Sequence, residues 1–410
     1  MELRKITDQE LDAFAASSSY IHYMKTSMWG RFQVKTRNAD SYECLGFYNG
    51  SELAATAMVL RHRWFGHLYF YVPEGPCLDY ENRDLTEDVF SALADYAAKN
   101  KAQFLRVDPN VVRMPRDING NPLEGFNHEN VTEQLISMGY RHKGYGYAYN
   151  GSWTNRYTLI ADLSPDMKTV ISRYSKPRRT SLNRHAINSV TTRTGSESDI
   201  PALMEFEKQL SEQDGFKPHS MAFFRDLLNI FGSHAVIYVT EINIEKQISG
   251  IEKELNSKKY AKDPEARAAK EKELDHAREN LKEYGASLPI ACGLFIRIGR
   301  GSWDLYTYNH KAFNSIKPVD SLHAFAMEDM KNHGVTDYDM CGFSGVTTKD
   351  DPYYGLYSYK RSFGPEFIER IGEFDRVFSE KGYRAFLRQW SLSSRIRRKY
   401  RSIRYLKKQK

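Results

Sequence analysis

Asp108 stands in FLRVDPN, at the end of a short apolar run and directly before a proline. Strand ends in α/β proteins face the crevice where ligands bind. A carboxylate placed there can accept a proton from an attacking amine; a turn or cap aspartate is the plainer alternative. Lys360 stands in YGLYSYKRSFGPEF, after Tyr353, Tyr354, Tyr357 and Tyr359. A lysine among aromatics can hold a phosphate or polarise a carbonyl, and is otherwise an exposed strand lysine. The run SRYSKPRRTSLNRHAINSVTTR, residues 172–193, carries six Lys/Arg, Arg178 and Arg179 among them, and no carboxylate. It suits phosphate contact with a nucleic acid or a pyrophosphate-bearing substrate, or else is an ordinary solvated basic helix. There is no G-x-S-x-G nucleophile elbow. Cys44, Cys77, Cys292 and Cys341 show no CxxC or Cys/His ligand spacing, so no metal is expected. Four free, buried thiols in a reducing cytoplasm are expected instead.

The elements that must position these residues alternate between strand and helix, which predicts a mixed α/β chain. YECLGFYNG, ELAATAMVLRH and HLYFYVPEG read as three strands; a helix around EDVFSALADYAAKN and the strand AQFLRVDP follow. HAVIYVTE, PIACGLFIRIG and SWDLYTYNH repeat the order, with the helix VDSLHAFAMEDMKNHG and the strand DYDMCGFS. Strand, strand, strand, helix and a strand with an acidic residue therefore occur twice. This predicts two copies of one α/β unit around a cleft. Units of this layout usually hold coenzyme A on a Gly-rich turn at a helix N-terminus. The corresponding stretches, VPEGPCLDYENRD and YNHKAFNSIKPVD, have no GxG, so any acyl donor is expected to be something else.

Between the first two strands of the second copy lies a charged insertion. Ile244, Ile248, Ile251 and Leu255 recur at spacings of four, three and four, and Leu274, Ala277, Leu281 and Tyr284 form a second narrow stripe. Such stripes fit a coiled-coil seam, and Pro264 suits the first turn of a returning helix. Two helices of roughly 18 residues would make an antiparallel arm roughly 27 Å long. Residues 245–284 hold ten basic and ten acidic side chains, so the arm is solvated and nearly neutral: a spacer, a dimerisation hairpin or a docking arm.

The net charge of +7 is concentrated at the end of the chain, where Arg395 onward contributes nine Lys/Arg and no carboxylate. Without that tail 50 basic side chains face 52 acidic ones, so the body is not a basic protein. Leu392, Ile396, Tyr400, Ile403 and Leu406 fall near one helical face of the tail, which suits an amphipathic helix on an anionic bilayer or a contact to RNA. The start MELRKITDQE lacks an apolar core of the secretory kind and no run of 18 apolar residues occurs, so a cytoplasmic protein without a membrane span is expected.

These pieces together resemble the FemABX family of peptidoglycan bridge-forming aminoacyltransferases, from about residue 20 to residue 390. The resemblance is carried by VPEGPCLDYEN (72–82), RVDPNV (106–111), LPIACGLFI (288–296), GLYSYKRSFG (355–364) and IGEFD (371–375), together with the inserted hairpin. It implies two acetyltransferase-like domains, 1–152 completed by 370–394 and 153–369, with an arm at 242–285 and a basic tail at 395–410. It also implies transfer of Gly, Ser or Ala from aminoacyl-tRNA to the stem-peptide amine of a cell-wall precursor, with the arm reaching the tRNA. The acceptor implied is lipid II, taken at the inner face of the membrane, with the soluble UDP-MurNAc-pentapeptide as the alternative. The ester is already activated, so no cofactor is expected, and a monomer is expected to suffice. Carried over by position, Asp108 matches the family's aspartate proposed as base or amine-orienting group, and Tyr359–Lys360 its aromatic–lysine pair near the acceptor end of the tRNA. Lys25 replaces a family glutamine; eight residues later, where a phosphate-binding lysine is usual, stands Gln33, with Lys35 the nearest lysine. A family arginine and the tyrosine four residues on correspond to His219 and Phe223. A coenzyme-A-dependent N-acyltransferase and a non-catalytic tRNA-binding protein remain the competing readings.

Overall fold

The computed structural model describes residues 1–147, 152–187 and 189–392. Two seven-stranded sheets form the frame. The first contains β1 (Glu2–Lys5), β2 (Ser41–Asn49), β3 (Glu52–Trp64), β4 (His67–Val72), β5 (Phe104–Val107) and β6 (Tyr140–His142). The second contains β7 (Tyr157–Asp162), β8 (Val190–Thr194), β9 (Ala235–Asn243), β10 (Ser287–Ile298), β11 (Gly301–Asn309), β12 (Asp337–Gly342) and β13 (Glu366–Glu369). The last strand, β14 (Phe374–Val377), returns to the first sheet.

Strand order is β1-β2-β3-β4-β5-β14-β6 in one sheet and, from its β8 edge, β8-β9-β10-β11-β12-β7-β13 in the other. In each, the fourth and fifth strands are parallel and their other neighbours antiparallel. The duplicated order read from the sequence is therefore a duplicated topology. It carries one exchange: β7 leaves the first copy to fill the sixth place in the second sheet, and β14 returns to fill the same place in the first. Each unit is thus completed by a strand from the other half. The buried Arg106–Asp375 pair, bidentate at 2.7 and 2.8 Å across β5 and β14, fastens the returning strand.

The central strands are covered on both faces, which is why AMVL (57–60) in β3 reads as an unbroken apolar run rather than an alternation. Leu45, Phe47, Ala57, Val59, Phe70 and Val107 pack with Val89, Phe90 and Leu93 of the helix Arg83–Lys99. Cys44, Met58, Leu60 and Tyr71 on the opposite face pack with Leu11. That helix begins where Asn82 accepts the Leu85 N–H, satisfying a donor that the first turn leaves open. In the second unit Tyr238, Phe295, Met327 and Tyr338 form the matching core. The units are joined by apolar packing: Ile21, Tyr23, Met28 and Phe32 from the N-terminal segment lie against Phe224, Phe231, Ile237 and Trp303. Each large side chain so buried contributes about 1.5–3 kcal/mol.

The insertion is a helical hairpin with unequal legs. Ile244–Leu255 runs 12 residues, a short turn follows at Lys258–Ala261, and Pro264–Tyr284 runs back over 21. Two equal helices were expected; the first instead ends at Asn256. Asp263 caps the returning helix and Pro264 opens it. Both stripes face inward, with Ile251 and Leu255 against Leu274 and Ala277. Lys270 is buried between Glu254 and Glu273. At the base, Ile244 joins Val190, Ile242 and Phe313. The tail beyond 392, read above as amphipathic, lies outside the described residues.

Candidate active site

β4 and β5 pair at Phe70↔Leu105, Tyr71↔Arg106 and Val72↔Val107 and then part. Asp108 lies at this parting, 3% exposed. Its carboxylate accepts from Tyr71 Oη (2.7 Å), the Glu74 backbone N–H (2.7 Å) and the Thr154 hydroxyl. Burial pushes the Asp108 carboxyl well above its usual range, the charges of Glu74 and Glu373 add to the rise, and the Thr154 and Tyr71 hydrogen bonds oppose it. A raised carboxyl binds a proton more readily than a free one, which favours proton acceptance by its ionised form. Glu74 sits beside it with φ +54, a costly conformation for a residue with a side chain. Its own carboxyl is raised by burial and held back by Arg370 and Lys25.

In the second unit β11 and β12 likewise pair through Trp303↔Asp339 and part beyond it. Asp339 is the counterpart of Asp108, and it too takes a hydroxyl from the exchanged segment, here Thr158, together with the Cys341 N–H at 2.7 Å. Cys341 again has a left-handed backbone, φ +60. Lys360 donates to the carbonyls of Cys341 (3.1 Å) and Gly342 (2.9 Å). It lies on the helix Tyr354–Arg361, buried. This sets aside the exposed strand lysine weighed as the alternative: Tyr357 and Lys360, three apart, share the inner face of a helix. Burial draws the Lys360 ammonium below its ordinary value, against the pull of Cys341, Asp304 and Asp339. Burial also lifts neighbouring Asp304 to about 6.

Arg370 joins the two half-sites. Its guanidinium lies 3.5 Å from Glu74 Oε2 and 3.6 Å from Asp339 Oδ2. A chain of charge thus runs from Asp108 through Glu74 and Arg370 to Asp339 and the Lys360 region, at the junction of the sheets. Lys25 supports the first half-site from below, its Nζ donating to Tyr20 O (2.6 Å), Asn110 Oδ1 (2.9 Å) and Pro76 O (3.5 Å).

The remaining sequence candidates are placed differently. Arg178 is turned inward: it bonds Asp320 and Ser362 and lies over the rings of Tyr359 (4.6 Å) and Phe363 (4.3 Å). It therefore positions Tyr359, the residue before Lys360, and is not a free phosphate ligand. Arg179 donates to the carbonyls of Ser172 and Tyr174, satisfying open acceptors at a helix end. Gln33 is buried on the helix Ser27–Lys35, while exposed Lys35 lies 3.8 Å from Asp226. His219 stacks on Phe223 with ring centres 4.1 Å apart. Its Nδ1 is 2.6 Å from the fully buried Glu207, which also accepts from Tyr308. Neither Lys35 nor His219 hydrogen-bonds to the Asp108–Lys360 network. Arg370, Glu74 and Asp339 were not singled out from sequence, although Glu74 lies within VPEGPCLDYEN and Asp339 is the acidic residue of the second repeat; Lys25 was named only as standing where the family has a glutamine.

The FemAB family profile matches residues 6–387. The chain belongs to the FemAB family. Aminoacyltransferase FemA of Staphylococcus aureus strain bovine RF122 / ET3-1 is 23% identical over 426 residues, covering 97% of this chain and all of the relative. The FemA of strain NCTC 8325 / PS 47 matches to the same extent. The crystal structure of FemX superposes with a TM-score of 0.79 at 20% identity, over 94% of this chain and 99% of that one, and so shares the fold. As a FemAB-family member this chain is a transferase, built as two α/β units of one topology. Among the described residues no helix is long and apolar enough to cross a membrane.

Proposed function

We propose that this FemAB-family transferase moves Gly, Ser or Ala from aminoacyl-tRNA to the stem-peptide amine of a peptidoglycan precursor, with lipid II as acceptor. The observation that carries this reading is that a buried carboxylate, Asp108, and a buried lysine, Lys360, lie at the two ends of a network that Arg370 joins across the units. The amine nitrogen attacks the ester carbonyl, forming C–N. Asp108 takes the amine proton, exchanging its bond to the neutral Thr154 hydroxyl for one to the substrate. The tetrahedral oxyanion is stabilised by the Lys360 ammonium, a preorganised charge in a site poor in water. Collapse breaks the C–O ester bond, and the proton held by Asp108 passes to the departing ribose oxygen. No bond in this sequence needs a nucleotide or a redox partner. Cys341, Asp304 and Asp339 oppose the downward pull of burial on Lys360. The hairpin, joined to β9 and β10 at its base, supplies a charged surface for the large donor.

The test is mass spectrometry of lipid II and of UDP-MurNAc-pentapeptide after separate incubations with the protein and a pool of charged tRNAs. One residue added to lipid II supports the proposal. Addition to the UDP-linked precursor alone overturns the acceptor. No addition to either, nor to lipid II already carrying one bridge residue, overturns the reaction.

A further inference from the structure

We propose that the β3–β4 hairpin and the outer face of the C-terminal helix form a docking surface for an anionic lipid bilayer, a contact separate from the transfer chemistry. The hairpin turns on Phe65 and Gly66, with φ +47 and +81, between the paired residues Trp64 and His67. Two-residue turns with both φ positive favour Asn–Gly, because a side chain is strained there. Here the strained position holds a phenylalanine that is 76% exposed. Asn would relieve the backbone and remove an apolar ring from water.

The ring does not stand alone. Trp64 lies against it with centroids 4.9 Å apart, and Trp390 lies 5.7 Å from Trp64. Leu392, 57% exposed, is the last described residue of that C-terminal helix, which begins at residue 380. Tryptophan and phenylalanine beside basic side chains are the composition of membrane-interface anchors. The charge is complementary to an anionic surface. From Lys381 to the chain end there are twelve Lys/Arg and no Asp or Glu. Lys381, Arg384 and Arg388 are on the helix itself, while Tyr383 and Phe386 of that helix are buried in the first unit. The acidic groups on the neighbouring strand end are engaged: Asp40 accepts the Arg63 N–H, and Glu43 pairs with Lys5 and Arg61. β4 then leads from the hairpin towards Glu74, about 23 Å away at 3.3 Å per residue. The Asp108–Glu74 half-site therefore stands back from the surface that would meet the bilayer.

Vesicles of phosphatidylglycerol and of phosphatidylcholine, neither carrying a precursor, are mixed with the full-length chain and sedimented. Binding to phosphatidylglycerol at least tenfold tighter than to phosphatidylcholine is expected. Phe65→Asn should weaken that binding about tenfold, the order expected for withdrawing one aromatic ring from the interface, while its unfolding midpoint stays the same or rises. Truncation after Leu392 should weaken binding further, through lost attraction to the anionic surface. Equal partition to both lipids overturns the proposal, as does a Phe65→Asn protein that binds like the parent. Retention of bulk tRNA by the chain without any vesicle binding assigns the basic end to RNA and also overturns it. All three readouts are independent of transfer activity, so they fail or succeed separately from the proposed reaction.

Discussion

Replacing Arg370 with methionine should separate the two half-sites electrostatically. The guanidinium is buried, 3.5 Å from Glu74 and 3.6 Å from Asp339. At an effective dielectric of about 20 each contact is worth about 4–5 kcal/mol of gross attraction. Much of that is offset by the cost of desolvating the guanidinium, which Arg370→Met removes. What remains in the variant is two buried carboxylates without their shared cation, and breaking buried pairs in this way costs about 3–5 kcal/mol. Urea denaturation should show a loss of that size. The effect on pH has a definite sign. Burial raises Glu74 and Asp339, and Arg370 is the largest influence lowering both. Without it both carboxyls rise further, and the acid limb of the pH dependence of kcat/KM should move to higher pH. Arg370→Lys, which keeps the charge but cannot fork to both partners, should restore part of each effect. An Arg370→Met protein within about 1 kcal/mol of the parent, with an unmoved acid limb, would refute the bridging role.

Lys360→Met should lower kcat by about 10²–10³, the usual consequence of losing one oxyanion-stabilising group; steady-state kinetics within tenfold of the parent would remove Lys360 from the chemistry. Asp108→Asn should abolish turnover and also change the stability curve. The native Asp108 carboxyl is raised by burial, then by Glu74 and Glu373, so above the ordinary aspartate range the folded state keeps a proton that the unfolded chain releases. Parent stability therefore falls as pH rises from the unfolded value towards the native one, and the Asn variant should lack that slope; parallel curves would contradict it. In the hairpin, Leu274→Asp should open the Ile251–Leu255 seam, because an unpaired carboxylate is expensive to bury. Protease cleavage within 244–284 should accelerate at an unchanged global midpoint, and the KM for charged tRNA should rise at least tenfold. An unaltered donor KM would dissociate the hairpin from tRNA.

The repeated element order, the stripes of the hairpin and the strand end bearing Asp108 were legible in the sequence, because each is a periodicity or a spacing within a few tens of residues. The β3 run was recognisable as a strand from composition, and an acidic residue is visible in the strand closing each repeat, although only Asp108 stands out as a site residue from sequence. Tertiary structure decided the rest. Nothing local says that β14 inserts beside β5, since the Arg106–Asp375 pair that fastens it joins residues 269 apart in sequence. Arg178 and Arg179 belong to a run that composition describes as solvated and basic, yet Asp320 and the Ser172 and Tyr174 carbonyls draw them inward. Lys360 stands among tyrosines, which leaves an exposed strand lysine open, and packing made it part of the inner face of a helix. Arg370 acquires its meaning only once Glu74 and Asp339 stand on either side of it. Periodicity follows from the backbone a segment prefers, whereas a buried charge is defined by its partners, and chain topology alone brings those partners within a few ångströms.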